Sequence, residues 1–472
     1  MSTTNSPLPR MAALALSRFG LGARFDLSGT EAVALTKDPR GFLKAALKPD
    51  AALLSSPDLA DTKSNLMDFF EQQQQKKQMR DMATAATSAM QPPPTADVPK
   101  PMGVQREVLL TEAQARYQKA FMDQTGFVER LVWFWSNHFC VSIAKGQQIT
   151  DTAGSFEREA IRPHVFGKFA NMLRAVEQHP SMLFYLDNRD SIGPNSQAGQ
   201  RRQKGLNENL AREILELHTL GVNGGYTQAD VTSLARMITG WTFPGLNSNK
   251  AEPAVFVFNP NAHEPGDHKL LNKTYTQQGI AQGEAALDFL AAQPATAKHV
   301  ATKFARHFVA DDPPQDLVGR LATVFTKSGG DLLALTTALI DDDAAWTPTQ
   351  EKLRTPQEFI IAASRALNLP PEKPQLLMRA LNELGQPLWK PSGPNGFADT
   401  VQQWASSEGM KVRLSYAALM AKQSQVAGNP TEVAQAILGD AASPDTSQAI
   451  ARAESKAQGL ALLLMSPEFQ RR

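Results

Sequence analysis

Apolar residues recur at spacings of three and four along most of this 472-residue chain, and strict alternation is rare. That period gathers apolar side chains on one stripe of an α-helix. Phe127, Leu131, Trp135 and His138, at steps of four, four and three, form one such stripe. The best short strand candidate is AVFVF at 254–258. The expected fold is therefore mainly α: a large multi-helical assembly with long irregular loops and at most a minor β element. Between the central motif and residue 366, helices are expected at about 284–292, 296–309, 316–327, 331–341 and 355–366.

Composition divides the chain into four segments. Residues 1–63 hold N-terminal helices. Residues 64–104 form a Gln- and Met-rich arm, helical in its first half, that becomes a Pro-rich linker. Residues 105–366 form a central helical core with the candidate site, and 367–472 a C-terminal helical region. The 48 basic residues against 47 acidic ones leave net charge +1, which argues against a nucleic-acid binder. The single cysteine, Cys140, excludes an intrachain disulfide; beside aromatics it reads as a packed thiol rather than a nucleophile. The apolar run at 11–16 is short for a secretion signal, and no run approaches the roughly 18–20 residues of a membrane span. These features point to the cytoplasm, with carriage to the periplasm by an exported partner as the alternative.

The densest chemistry lies at 207–241. Glu208, Arg212 and Glu216 stack at i, i+4 and i+8, with Asn209 and Glu213 beside them. Leu206, Leu210, Ile214 and Leu217 mark the opposite, buried face. Asn207 caps the start, Gly221 closes the end in the left-handed region, and Thr227 with Asp230 opens the next helix as a capping box. The glutamate–arginine face is either a solvated surface, with pairs worth about 0.2–0.5 kcal/mol each, or a working site. His218 falls near the far edge of the apolar face, so a metal site built from Glu213, Glu216 and His218 alone fails on geometry.

A composite divalent-metal site remains open. HEPGDH places His263, Glu264, Asp267 and His268 within six residues, though at no established zinc spacing. The candidate ligands are His138, His218, His263 and His268; the alternative for HEPGDH is a turn at Pro265-Gly266. His138 also reads as a buried histidine with one hydrogen-bond partner. Trp135, Asn137 and Trp241 are candidate substrate-binding residues, and Trp389 is a further stacking surface. His164 and His179 fall at helix termini. His299 and His307, eight apart on one helix, read as surface or packing positions.

SRFGLGAR, LVWFWSNHF, GLNENLAREILELHTLGVNGGYTQADV, ARMITGW, HEPGDHK, QPATAKHVATKFARHFVADDPP and LALLLMSPEFQRR together resemble one family. It is the large bacterial family known as domain of unknown function 1800, and the resemblance is weakest over 64–104. It implies a bacterial source and, through neighbouring genes, an exported sulfatase-like partner in an envelope context. It carries no reaction and therefore no catalytic residue. The residues themselves point to an enzyme, with hydrolase or lyase favoured. Glu208, Arg212, Glu213 and Glu216 would perform acid–base chemistry on a glycan or other polar polymer. The alternatives are a noncatalytic assembly partner of that sulfatase-like protein and a metal-dependent hydrolase or oxidoreductase.

Overall fold

A computed structural model describes residues 8–88, 104–202, 205–246 and 252–472. Thirteen of its helices matter here. The first four are α1 (Thr62–Ser88), α2 (Val104–Met122), α3 (Phe127–His138) and α4 (Gln147–Phe156). Next come α5 (Phe169–Glu177), α6 (Pro180–Tyr185), α7 (Asn209–Glu213) and α8 (Gln228–Met237). The rest are α9 (Ile280–Ala291), α10 (Pro294–Phe308), α11 (Pro356–Leu367), α12 (Ser407–Gln423) and α13 (Lys456–Met465). The architecture is mainly α, as the periodicity predicts.

Local signals set many of the boundaries. Thr227 and Asp230 form a reciprocal capping box on α8, and Thr355 and Glu358 form another on α11. Pro294 and Pro356 open their helices in the first turn, where a missing N–H costs nothing. The 284–292 and 296–309 expectations correspond to α9 and α10, and that at 355–366 to α11.

Two small antiparallel sheets are present among the described residues. β1 (Trp241–Thr242) pairs with β2 (Val257–Phe258), so only the end of AVFVF is strand. β3 (His268–Leu270) and β4 (Lys273–Tyr275) form a hairpin that the sequence reading leaves irregular. Its two turn residues, Leu271 and Asn272, have φ of 46° and 65°. Left-handed conformations at both positions match a primed hairpin turn, which is usually announced by Asn-Gly. Here Asp230 supports the turn from α8, accepting the Leu271 N–H at 2.8 Å.

One buried apolar core runs from Leu8 to Phe469 and draws on every segment except the outer arm. Phe127, Leu131 and Trp135 lie in it, with His138 buried beside them. The arm roots through buried Thr62, Asn65 and Leu66 and then leaves the body; residues 73–84 are exposed. The Pro-rich linker lies outside the described residues.

Candidate functional site

The helix that carries the motif is not uniform. Asn207 Oδ1 accepts the Asn209 N–H at 2.9 Å, and α7 runs from there to Glu213. The chain then widens into a π-turn over Ile214–His218, and Gly221 follows with φ +84°. Widening changes which side chains face inward. Leu210 and Ile214 are buried as expected, but Leu215 takes the inner position assigned to Leu217, which is half-buried. His218 is carried inward with it.

At the end of this turn the Leu217 and His218 carbonyls are taken by imidazoles from other helices. His299 Nε2 on α10 donates to Leu217 O at 3.0 Å, and His138 Nε2 on α3 donates to His218 O at 3.2 Å. A carbonyl accepts only from a protonated nitrogen, so the partners assign the proton to Nε2 in both rings. His218 itself is oriented by Glu177, at the end of α5: Nδ1 lies 2.7 Å from Oε1, and both side chains are buried. By the same logic Nδ1 carries a proton toward Glu177. Among the described residues His218 Nε2, His138 Nδ1 and Glu177 Oε2 have no hydrogen-bond partner. Unpartnered polar atoms at such depth are uncommon and call for an explanation.

The surroundings favour neutral groups. Burial pushes His138 well below its ordinary value, and Lys303 adds to the effect. Burial, then Lys303, brings His299 down to about 4. Lys303, one turn along α10, is itself lowered to about 8 by burial. Burial raises the Glu213 carboxyl; Glu216 and Glu177 push the same way, while His218 and Arg212 oppose. Burial also raises the Tyr185 phenol and takes the Cys140 thiol to about 12. Cys140 is packed against the Gly393 and Pro394 carbonyls, consistent with an inert thiol.

The other candidate residues separate from this cluster. Arg212 pairs with Glu208 at 3.3 Å, and both reach α8 through Gln228; Thr232 also donates to Glu208 at 2.6 Å. The hydrogen bond from Thr232 is the main reason the Glu208 carboxyl is lowered. This half-exposed network joins two helices. Glu216 accepts from Tyr226 at 3.3 Å. Trp135 and Trp241 are fully buried and offer no face to a ligand. Asn137 is a staple: its amide donates to Phe397 O at 2.9 Å and accepts the Phe397 N–H at 2.8 Å. Trp389 lines a cavity of only about 50 Å³, far too small for a sugar. The candidate substrate-binding residues Trp135, Asn137 and Trp241 thus take packing and stapling places in this structure.

The metal set does not assemble either. His138 and His218 are neighbours, with ring centroids 6.3 Å apart. His263 instead donates to Thr239 O at 3.0 Å, and His268 sits in β3 opposite Tyr275. Glu264 is occupied by Asn195, through its backbone N–H at 2.8 Å and its side-chain amide at 2.5 Å. Among the described residues no three His, Cys, Asp or Glu side chains gather in a metal-holding arrangement.

Glu177 and Lys303 carry no assignment from the sequence, and His299 reads there only as a surface or packing position. Glu177 left a signal. It lies four residues after Leu173 on the apolar stripe of α5, where an unpaired acid is out of place. His299 and Lys303 left none that distinguishes them from a solvated helix edge.

Comparison with curated proteins and with solved structures finds no match. The model of a protein family of unknown function, DUF1800, matches residues 14–471, so the chain belongs to that family.

Proposed function

We propose that the protein is an enzyme that moves protons with Glu213 and His218, in hydrolysis or elimination on a polar polymer such as a glycan. The observation that supports this reading is the buried Glu177–His218 pair, whose far nitrogen is bare, beside a carboxyl raised by burial. A carboxylate that holds an imidazole through Nδ1 fixes its tautomer and stabilises the imidazolium formed when Nε2 takes a proton. Glu177 is thus a positioning residue and His218, which is 1% exposed, the base that meets substrate when the π-turn over it opens. Glu213, whose raised pKa keeps it protonated further toward neutrality, serves as the acid. The reading replaces the four-residue set Glu208, Arg212, Glu213 and Glu216 by Glu213 with His218 and Glu177.

The pH dependence follows from those roles. Turnover falls as pH rises through the raised value of Glu213, because the acid then has no proton to give. The test has two parts. Carbon-detected NMR should give Glu213 a pKa above the ordinary carboxylate range. Product release from a panel of acidic and neutral bacterial polysaccharides should fall on the order of 10²–10⁴-fold in Glu213→Gln and His218→Asn. A Glu213 that titrates as an ordinary surface glutamate would overturn the reading. So would turnover that survives both substitutions.

A further inference from the structure

A cleft that shares no residue with the Glu177–His218 pair has a volume of about 440 Å³. Arg189, Arg201, Gln197, Asn261 and Asp190 line it, with Phe243 on one wall. Arg189 comes from a single helical turn, Asn188–Asp190, that is held firmly. The Asn188 amide donates to Ile238 O and Trp241 O, both at 3.2 Å, and Thr242 donates to Arg189 O at 3.0 Å. The guanidinium lies over the Phe243 ring at 4.4 Å and is 5.8 Å from that of Phe70. Stacking of this kind fixes the plane of the fork and leaves its N–H edges free.

Among the described residues the fork meets no acceptor. Buried arginines elsewhere meet oxygen: Arg162 meets Glu129 at 2.8 Å and Glu157 at 3.0 Å, and Arg472 meets Glu358 at 2.8 Å. For the Arg189 guanidinium no ion pair or hydrogen bond is formed among the described residues. Asp190 is exposed and lines the same cleft, one negative charge against Arg189 and exposed Arg201. Partial burial also works against the Arg189 charge, and an incoming anion would relieve that cost. Gln197 and Asn261 add amide groups of the kind that bind hydroxyls.

We propose that this cleft binds a sugar-sized, hydroxylated molecule through its oxyanion, with Arg189 as the anion-binding fork and the amides of Gln197 and Asn261 on its hydroxyls. A carboxylate or a phosphate can supply the oxyanion, and the test separates them. Isothermal titration of the full chain uses glucuronate, glucose 6-phosphate and glucose. At least one of the two anions should bind with a Kd below about 1 mM, and glucose should bind at least tenfold more weakly. Arg189→Met should weaken the anion about 10–100-fold. Arg189→Lys should restore only part of it, because a point charge lacks the fork. Asn261→Ala, at the rim, gives a second variant that leaves the Phe243 stack untouched and should weaken binding severalfold. Two anions that bind no better than glucose would overturn the proposal. So would folded Arg189→Met with wild-type affinity or, should that variant not fold, Asn261→Ala with wild-type affinity.

Discussion

Asp151 illustrates how one buried atom sets a pH dependence. It lies on α4 facing the root of α1, 5% exposed, and among the described residues its Oδ1 has no hydrogen-bond partner. Burial raises it to about 6, opposed by Gln147 and Lys76 and reinforced by Asp68. The folded protein therefore holds this proton more tightly than the unfolded chain. Stability is unaffected below the unfolded value near 4 and declines as pH rises through about 6. Asp151→Asn should remove that decline and stabilise the fold by about 1–2 kcal/mol at pH 7, with little change at pH 3.5. Urea unfolding at the two pH values measures it; equal effects at both would contradict the assignment. Glu177 is the more instructive residue for reading sequences. An acid on the apolar stripe of a short helix was visible, but its partner His218 lies 41 positions away and faced inward only because of the π-turn.

Helix identity proved more legible than helix phase. Period 3.6 found α9, α10 and α11, and the Thr227–Asp230 pair marked one capping box, because those depend on neighbours within four residues. It misassigned Leu217 because a π-turn adds a residue to one turn, which nothing in the spacing of Ile214, Leu215 and Leu217 announces. Gly221 then becomes a constraint on two counts. Its φ is +84°, and a Cβ there would lie 2.8 Å from His299 Nδ1. Gly221→Ala should cost about 1–2 kcal/mol and displace His299 from the Leu217 carbonyl. Thermal unfolding measures the first effect and histidine NMR the second; an unchanged His299 resonance would mean that the ring has room to spare. The arm behaves differently. Met79 and Met82 are 48% and 69% exposed. Replacing both by Glu should leave the unfolding midpoint within about 1 °C, since exposed positions of this kind rarely exceed 0.5 kcal/mol.

Across the whole molecule, charge ties distant segments together. Glu358 on α11 meets Arg130 of α3 at 3.1 Å and Arg472 at 2.8 Å. His307 of α10 meets Asp399 at 2.6 Å, and Lys352 reaches both Asp399 and Asp311. Burial acts to raise the Glu358 carboxyl, but Arg472 and Arg130 outweigh it and hold it at about 2. Its contribution is complete above the unfolded value near 4.5 and is lost as pH falls toward 2. Glu358→Ala leaves two buried guanidiniums without their carboxylate and should cost about 3–5 kcal/mol at pH 7. In chemical denaturation the deficit should shrink between pH 4.5 and 3; a deficit independent of pH would point to lost packing instead.

The amino-acid sequence by itself determined the fold class, many of the helices, the cap of α8, the packed state of Cys140 and the position of the motif helix. These follow from propensity, period and capping chemistry acting over a few residues. Only the tertiary structure decided which chemistry the motif contains. Glu177, His138 and His299 reach His218 and its carbonyl neighbours from three other helices, across 41 to 82 positions of chain. It likewise buried Trp135 and Trp241, separated His263 and His268 from the other histidines, and, among the described residues, left the Arg189 guanidinium without an ion pair. Such meetings depend on how helices pack and where one turn widens, and local patterning does not encode either.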